Sequence, residues 1–137
     1  MIGNAAIRAY SAQDAWVDIG LTTGIASHGI IVLNWNGQAW SRVPVPYRTQ
    51  ADGAISQDGR GGIWMYAIGP AAPAGAPTYL YHYSHGQWSR QPAPALGGVA
   101  TEMGVLSWRP GARSGWAAAS TGNRGLLLRY FPSPTGH

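Results

Sequence analysis

Apolar and polar positions alternate along three segments of the chain. Ile31, Leu33 and Trp35 point one way while Val32 and Asn34 point the other; Tyr79, Tyr81 and Tyr83 oppose Leu80 and His82; Leu126, Leu128 and Tyr130 oppose Leu127 and Arg129. A period of two belongs to a β-strand, so each segment predicts one. A turn follows the first two. Asn36-Gly37 is a strong hairpin signal, because a type I′ turn needs positive φ at both central residues, and His85-Gly86 stands in for it in the second segment. Trp-Ser-Arg-x-Pro-x-Pro comes next in both, starting at Trp40 and Trp88. Prolines cannot donate to a ladder, which places this strand at a sheet edge. Upstream, 14–20 and 62–69 read as strands anchored by Trp16 and Trp64, and 5–10, 53–56 and 99–106 as candidate first strands. The segments 21–29 and 70–77, the second rich in Pro and Ala, read as loops on one rim.

These segments are copies of one unit. Trp16/Trp64, Trp35/Tyr83, Trp40/Trp88, Arg42/Arg90 and Pro46/Pro94 all stand 48 residues apart, and a weaker third copy runs through Trp116 and 126–130. Each copy is a meander of about four antiparallel strands, the size of one β-propeller blade. The 137 residues therefore read as one all-β repeat domain, with blade 1 at about 4–46, blade 2 at about 50–94 and an incomplete blade 3 at about 97–134. A propeller closes with about four or more blades. Three leave unpaired edges and faces, so the chain is expected to complete itself by self-association, most simply as a homodimer of about six blades. An excised piece of a larger propeller is the other reading.

Asp14-Ala15-Trp16-Val17-Asp18-Ile19-Gly20 and Leu33-Asn34-Trp35-Asn36-Gly37-Gln38-Ala39-Trp40 resemble a family of bacterial tandem-repeat propellers. Its repeats carry Asp-x-Trp-Ala-x-Gly, then Leu-x-Trp-(Asn/Asp)-Gly-x-x-Trp and a Pro-rich exit. Ser56-Gln57-Asp58-Gly59 followed by Trp64 is similar to the Asp-box turn of sialidase-type and sortilin-type propellers. Both likenesses imply a propeller fold.

Composition narrows the function classes. Apolar residues make up 45% and charged residues 10%, with 20 Gly, 10 Pro and 7 Trp, a profile of short strands and tight turns rather than amphipathic helices. The net charge of +4 comes from nine Arg and no Lys. Those Arg are dispersed along the chain instead of forming a stripe, which argues against nucleic acid as a partner. Absence of Cys excludes disulfides, thiolate metal sites and cysteine nucleophiles. No apolar run long enough to span a membrane occurs, nor a signal-peptide pattern at Met1. The compartment stays open; one reading is the terminal part of a longer secreted or surface protein.

Trp35, Trp40, Tyr83, Trp88 and Tyr130 recur once per copy, and Arg42 and Arg90 lie two residues beyond the second Trp. One role for these aromatics is packing sheet on sheet. The other is to line inter-blade pockets where a ring face meets sugar C–H groups and Arg supplies hydrogen bonds, one weak site per blade strengthened by multivalency. Asn34, His82 and Arg129 share one polar position, open to solvent or to a ligand. His82 and His85 lack a third ligand, so no metal is expected, and no cofactor motif is present. Glycoside hydrolysis wants two carboxylates at a set separation, and Asp14, Asp18, Asp52, Asp58 and Glu102 share no motif; Asp14 and Asp58 read as turn-fixing side chains. The expectation is a non-catalytic, lectin-like carbohydrate-binding module. A protein-binding or purely structural propeller fragment is the alternative, and a sialidase-like glycosidase a further one.

Overall fold

A computed structural model describes residues 2–23, 26–45, 55–67, 79–92, 95–96, 99–100, 102–109, 112–121 and 123–131. The chain is all-β, and no helix occurs among these residues. Sheet 1 is a four-stranded antiparallel meander of β1 (Ile2–Ser11), β2 (Asp14–Thr23), β3 (Ala26–Trp35) and β4 (Trp40–Val43). Sheet 2 repeats that order with β5 (Ile55–Gln57), β6 (Ile63–Ala67), β7 (Tyr79–Ser84) and β8 (Gln87–Pro92). A two-stranded ladder of β9 (Ala95–Leu96) and β10 (Val99–Ala100) follows. Sheet 3 has three strands, β11 (Glu102–Trp108), β12 (Gly115–Thr121) and β13 (Arg124–Tyr130).

β4, which stops just before Pro44, and β8, which ends at Pro92, are the outer edges of their sheets, where a missing N–H costs no ladder bond. Two expectations need correction. The segment 21–29 is not a loop, because β2 and β3 remain paired at Leu21 with Gly29, Thr22 with Ser27 and Thr23 with Ala26. This stretch holds no proline to interrupt the ladder. Its counterpart at 70–77, with three prolines, lies outside the described residues. The first outer turn is also one residue out of its expected place. Asn36 N–H donates to the Ala39 carbonyl at 3.3 Å, which makes Gly37 and Gln38 the central pair, and only Gly37 has positive φ, 92°. That is the pattern of a type II′ turn. The Asn36 carboxamide accepts the Gln38 and Ala39 amides, each at 3.0 Å, and so fixes it. His85-Gly86 does form the type I′ pattern, with φ of 51° and 79°.

The cross-strand register lines up the three sheets row by row. Ile7–Val17–Leu33–Arg42 in sheet 1 corresponds to Ile55–Met65–Tyr81–Arg90 in sheet 2 and Leu106–Ala117–Leu128 in sheet 3. The next row is Arg8–Trp16–Asn34–Ser41, Ser56–Trp64–His82–Ser89 and Ser107–Trp116–Arg129. Rows alternate between faces, since successive side chains on a strand do.

Sheet 2 is the middle layer. One core joins Trp16, Ile30, Val32 and Val43 of sheet 1 to Ile55, Ile63, Met65 and Tyr81 of sheet 2. The second joins Trp64, Tyr66 and Leu80 from its other face to Leu106, Trp108, Ala117 and Ala119 of sheet 3. Alternate residues of β6 and β7 thus enter different cores, which explains why both phases of the alternation in 79–83 are apolar or aromatic. The first strands β1, β5 and β11 lie side by side. The described sheets form an open stack that does not close on itself.

Candidate functional site

The outer hairpin of sheets 1 and 2 carries an aromatic pair at the same register position. Trp35 and Trp40 face each other with ring centroids 5.6 Å apart and a 45° tilt; Tyr83 and Trp88 do so at 5.1 Å and 53°. Main-chain hydrogen bonds hold the rings. Trp35 Nε1–H donates to the Ala12 carbonyl at 3.0 Å, and Trp88 Nε1–H donates across the seam to the Pro44 carbonyl at 2.7 Å. Tyr83 further meets Trp16 edge to face at 5.7 Å, so the second pair is built into the seam between sheets 1 and 2. The first pair lies on the uncovered face of sheet 1, with Trp40 exposed. Arg42 and Arg90 are exposed on the outer strands, and the Arg90 guanidinium lies 4.9 Å from the Tyr79 ring centre rather than over Trp88. Tyr130 pairs with Gly115 in sheet 3, and its side chain lies outside the described residues. The seven candidate residues are therefore spread over three equivalent positions and do not converge on one site.

The polar position Asn34/His82/Arg129 has a specific partner in each sheet. All three side chains reach an acceptor beside the turn between the first two strands. Asn34 Nδ2 donates to Asp14 Oδ1 at 3.5 Å and to the Ala15 carbonyl at 3.3 Å; His82 Nε2 meets Asp58 Oδ2 at 2.7 Å; Arg129 Nε donates to Ser114 Oγ at 3.3 Å. The Trp of the same row closes each clasp. Trp16 Nε1–H donates to Asp14 Oδ1 at 2.8 Å, Trp64 stacks on the His82 ring at 4.1 Å, and the Arg129 guanidinium lies 5.9 Å from the Trp116 ring centre. The acceptor escapes a fixed-spacing search because Asp14 lies two residues before its Trp and Asp58 six.

Asp58 is a turn-fixing residue as expected. Its Oδ1 accepts the Arg60 and Gly62 amides at 2.7 and 2.9 Å, while its own N–H donates to the Gly62 carbonyl at 3.0 Å. Burial alone would push this carboxyl up, but the His82 hydrogen bond and the two amides hold it below the usual carboxylate range. Asp14 differs from the expectation, serving an indole and a carboxamide. Asp18 is sealed under sheet 2 with Oδ1 unpartnered, and burial raises its pKa, offset only in part by its own backbone amide and the charge of Arg8.

A cavity of about 190 Å³ opens where the three first strands meet, with Arg8 and Tyr10 from β1, Ser56 and Gln57 from β5, and Ser107 and Trp108 from β11 among its walls. Trp108 was not singled out from sequence. It stacks on Trp64 at 5.9 Å and fills the space over Gly115, and its only signal was a Trp standing outside the 48-residue register. Among the described residues no three His, Cys, Asp or Glu side chains gather as a metal site. Among the described residues no helix is long and apolar enough to cross a membrane. The chain matches no protein-family model, no curated protein and no solved structure.

Proposed function

We propose that this chain is a non-catalytic, propeller-like binding module that takes carbohydrate on the aromatic rings at the outer edges of its sheets. The observation that carries the reading is the aromatic pair repeated at one register position, Trp35–Trp40 and Tyr83–Trp88, with an exposed arginine two residues along the same outer strand. A ring fixed by its indole N–H offers its face to the C–H groups of a sugar at little ordering cost, and the guanidinium supplies donors for hydroxyls. One shallow contact per sheet is weak, and several on one body add by avidity. The likeness of 14–20 and 33–40 to bacterial tandem-repeat propellers supports the same class. Against a glycosidase stand the roles of the acids: Asp58 and Asp14 are engaged in clasps, and Asp18 is sealed in a core.

Glycan-array binding, followed by titration of the best hit, tests this. Trp88→Ala should weaken binding by roughly tenfold, about 1.4 kcal/mol, and Trp88→Phe should keep most of it because the ring face remains. Absence of any glycan bound by the folded protein would overturn the carbohydrate reading and leave a protein-binding or structural role. Turnover of aryl glycosides lost in Glu102→Gln would overturn the non-catalytic one.

A further inference from the structure

The two ends of the stack are made from positions that are sealed elsewhere in the same chain. Leu127 on the outer face of sheet 3 is 72% exposed, whereas Leu80 and Val32, at the same ladder position in sheets 2 and 1, are both 0% exposed. Trp116 on that face is 50% exposed against 4% for Trp64 and 3% for Trp16. At the other end, on the outer face of sheet 1, Ile7 is 59% exposed while its counterparts Ile55 and Leu106 are 2% and 5% exposed.

In both cores the same pair of faces meets. The Trp16/Val32 face of sheet 1 is covered by the Ile55/Met65/Tyr81 face of sheet 2, and the Trp64/Leu80 face of sheet 2 by the Leu106/Ala117/Leu128 face of sheet 3. What stays open is a Trp116/Leu127 face at one end and an Ile7/Val17/Leu33 face at the other. These are the two halves of the contact the chain already makes twice. From this we infer that a second copy of the chain docks head to tail, the sheet 3 end of each copy covering the sheet 1 end of the other, to close a two-chain ring of six sheets.

Three further points favour a second copy as the occupant. Unpaired apolar faces of this kind mark association surfaces. Rings of such sheets hold about four to eight, and two copies of the three described sheets fall within that range. Arg129 on the sheet 3 face is already accommodated, lying 4.8 Å from the Phe131 ring centre and donating to Ser114. The ring would also seat Trp35–Trp40 in a seam as Tyr83–Trp88 is seated now. The inference concerns assembly and stands whether or not a glycan binds.

Light scattering on the size-fractionated full chain at micromolar concentration is the test. The wild type should show twice the 14.5 kDa of one chain. Leu127→Glu and Ile7→Glu each disable one end, so each alone should run at the mass of a single chain with its cooperative unfolding kept, since both side chains are exposed. Mixed in equal amounts, they should regain the doubled mass, because one intact contact can form between the good end of each. Should Leu127→Glu lose its cooperative transition, Ala118→Glu on the same face replaces it. A folded wild type at single-chain mass, a ladder of masses growing with concentration, or a mixture that stays at single-chain mass would each overturn the head-to-tail pair.

Discussion

Leu80 and Leu127 stand at the same place in their sheets, each across from the residue two beyond the row Trp. Leu80 lies under sheet 3, whereas Leu127 is exposed and belongs to no core cluster among the described residues. Their strands share alternation and ladder, so the difference arises from the neighbouring layer, not from the strand. The middle sheet is a core element on both faces, while each outer sheet is a core element on one. The largest test of that contrast is truncation. Leu80→Ala should cost about 2–5 kcal/mol through lost contacts and a cavity, and Leu127→Ala under about 0.5 kcal/mol. Both are read by urea unfolding in the Ile7→Glu background, which keeps chains apart. Equal losses would break the comparison.

The contrast also marks how far the sequence could be read. Strands, their order within each meander and the edge position of β4 and β8 were legible, because alternation and proline are local signals. Which phase of the alternation faced which layer was not legible. In 79–83 Leu80 and Tyr81 both suit a core, and they enter different ones. The loop expected at 21–29 rested on analogy with a Pro-rich stretch and failed where proline is absent. For the candidate site, the recurring aromatics were found as pairs, yet the partners of Asn34, His82 and Arg129 were hidden. Turn lengths vary the spacing while the three-dimensional clasp stays constant.

Sheet 3 sharpens the comparison in a second way. Ala15 and Ile63 occupy a row that in sheet 3 belongs to Gly115, and Trp108 on the adjoining strand fills the space their side chains would take. A Cβ on Gly115 would run into the Trp108 ring. Gly115→Ala should therefore cost about 1–3 kcal/mol by overpacking, measured by thermal unfolding with the near-ultraviolet Trp signal as probe. A neutral result would mean that Trp108 can leave this seat without loss.

The acids of sheets 1 and 2 should give opposite pH dependences. Asp58 is held low in the fold, so its stabilisation is present above the ordinary carboxylate pKa near 4 and drains away as pH falls through its lower folded value. Asp18 is raised, so the fold gains from its protonated form at low pH and loses that gain as pH rises through the raised value. Asp58→Asn should lower stability at neutral pH by about 1 kcal/mol and flatten the acid limb, while Asp18→Asn should raise it by a similar amount. Denaturant midpoints between pH 3 and 7 separate the two. Parallel shifts in both variants would refute the assignment of opposite environments.

The smallest expected effect lies in the outer turns, where sheets 1 and 2 solve one connection differently. His85 has φ 51°, a left-handed conformation uncommon for non-glycine residues although Asn, Asp and His are enriched in it, and Gly86 follows at 79°. Asn-Gly suits such a pair best, so His85→Asn should gain about 0.5 kcal/mol. Ser84 loses only an exposed contact to the ring, 2.9 Å from Oγ to Nδ1. Gln38 holds the position of Gly86 but has no positive φ, so Gln38→Gly should lose about 0.5 kcal/mol by freeing the unfolded chain. Opposite signs for these two substitutions, read as melting shifts of a few degrees, follow from a type I′ turn in one sheet and a type II′ turn in the other. The same sign for both would mean that the two hairpins share one turn after all.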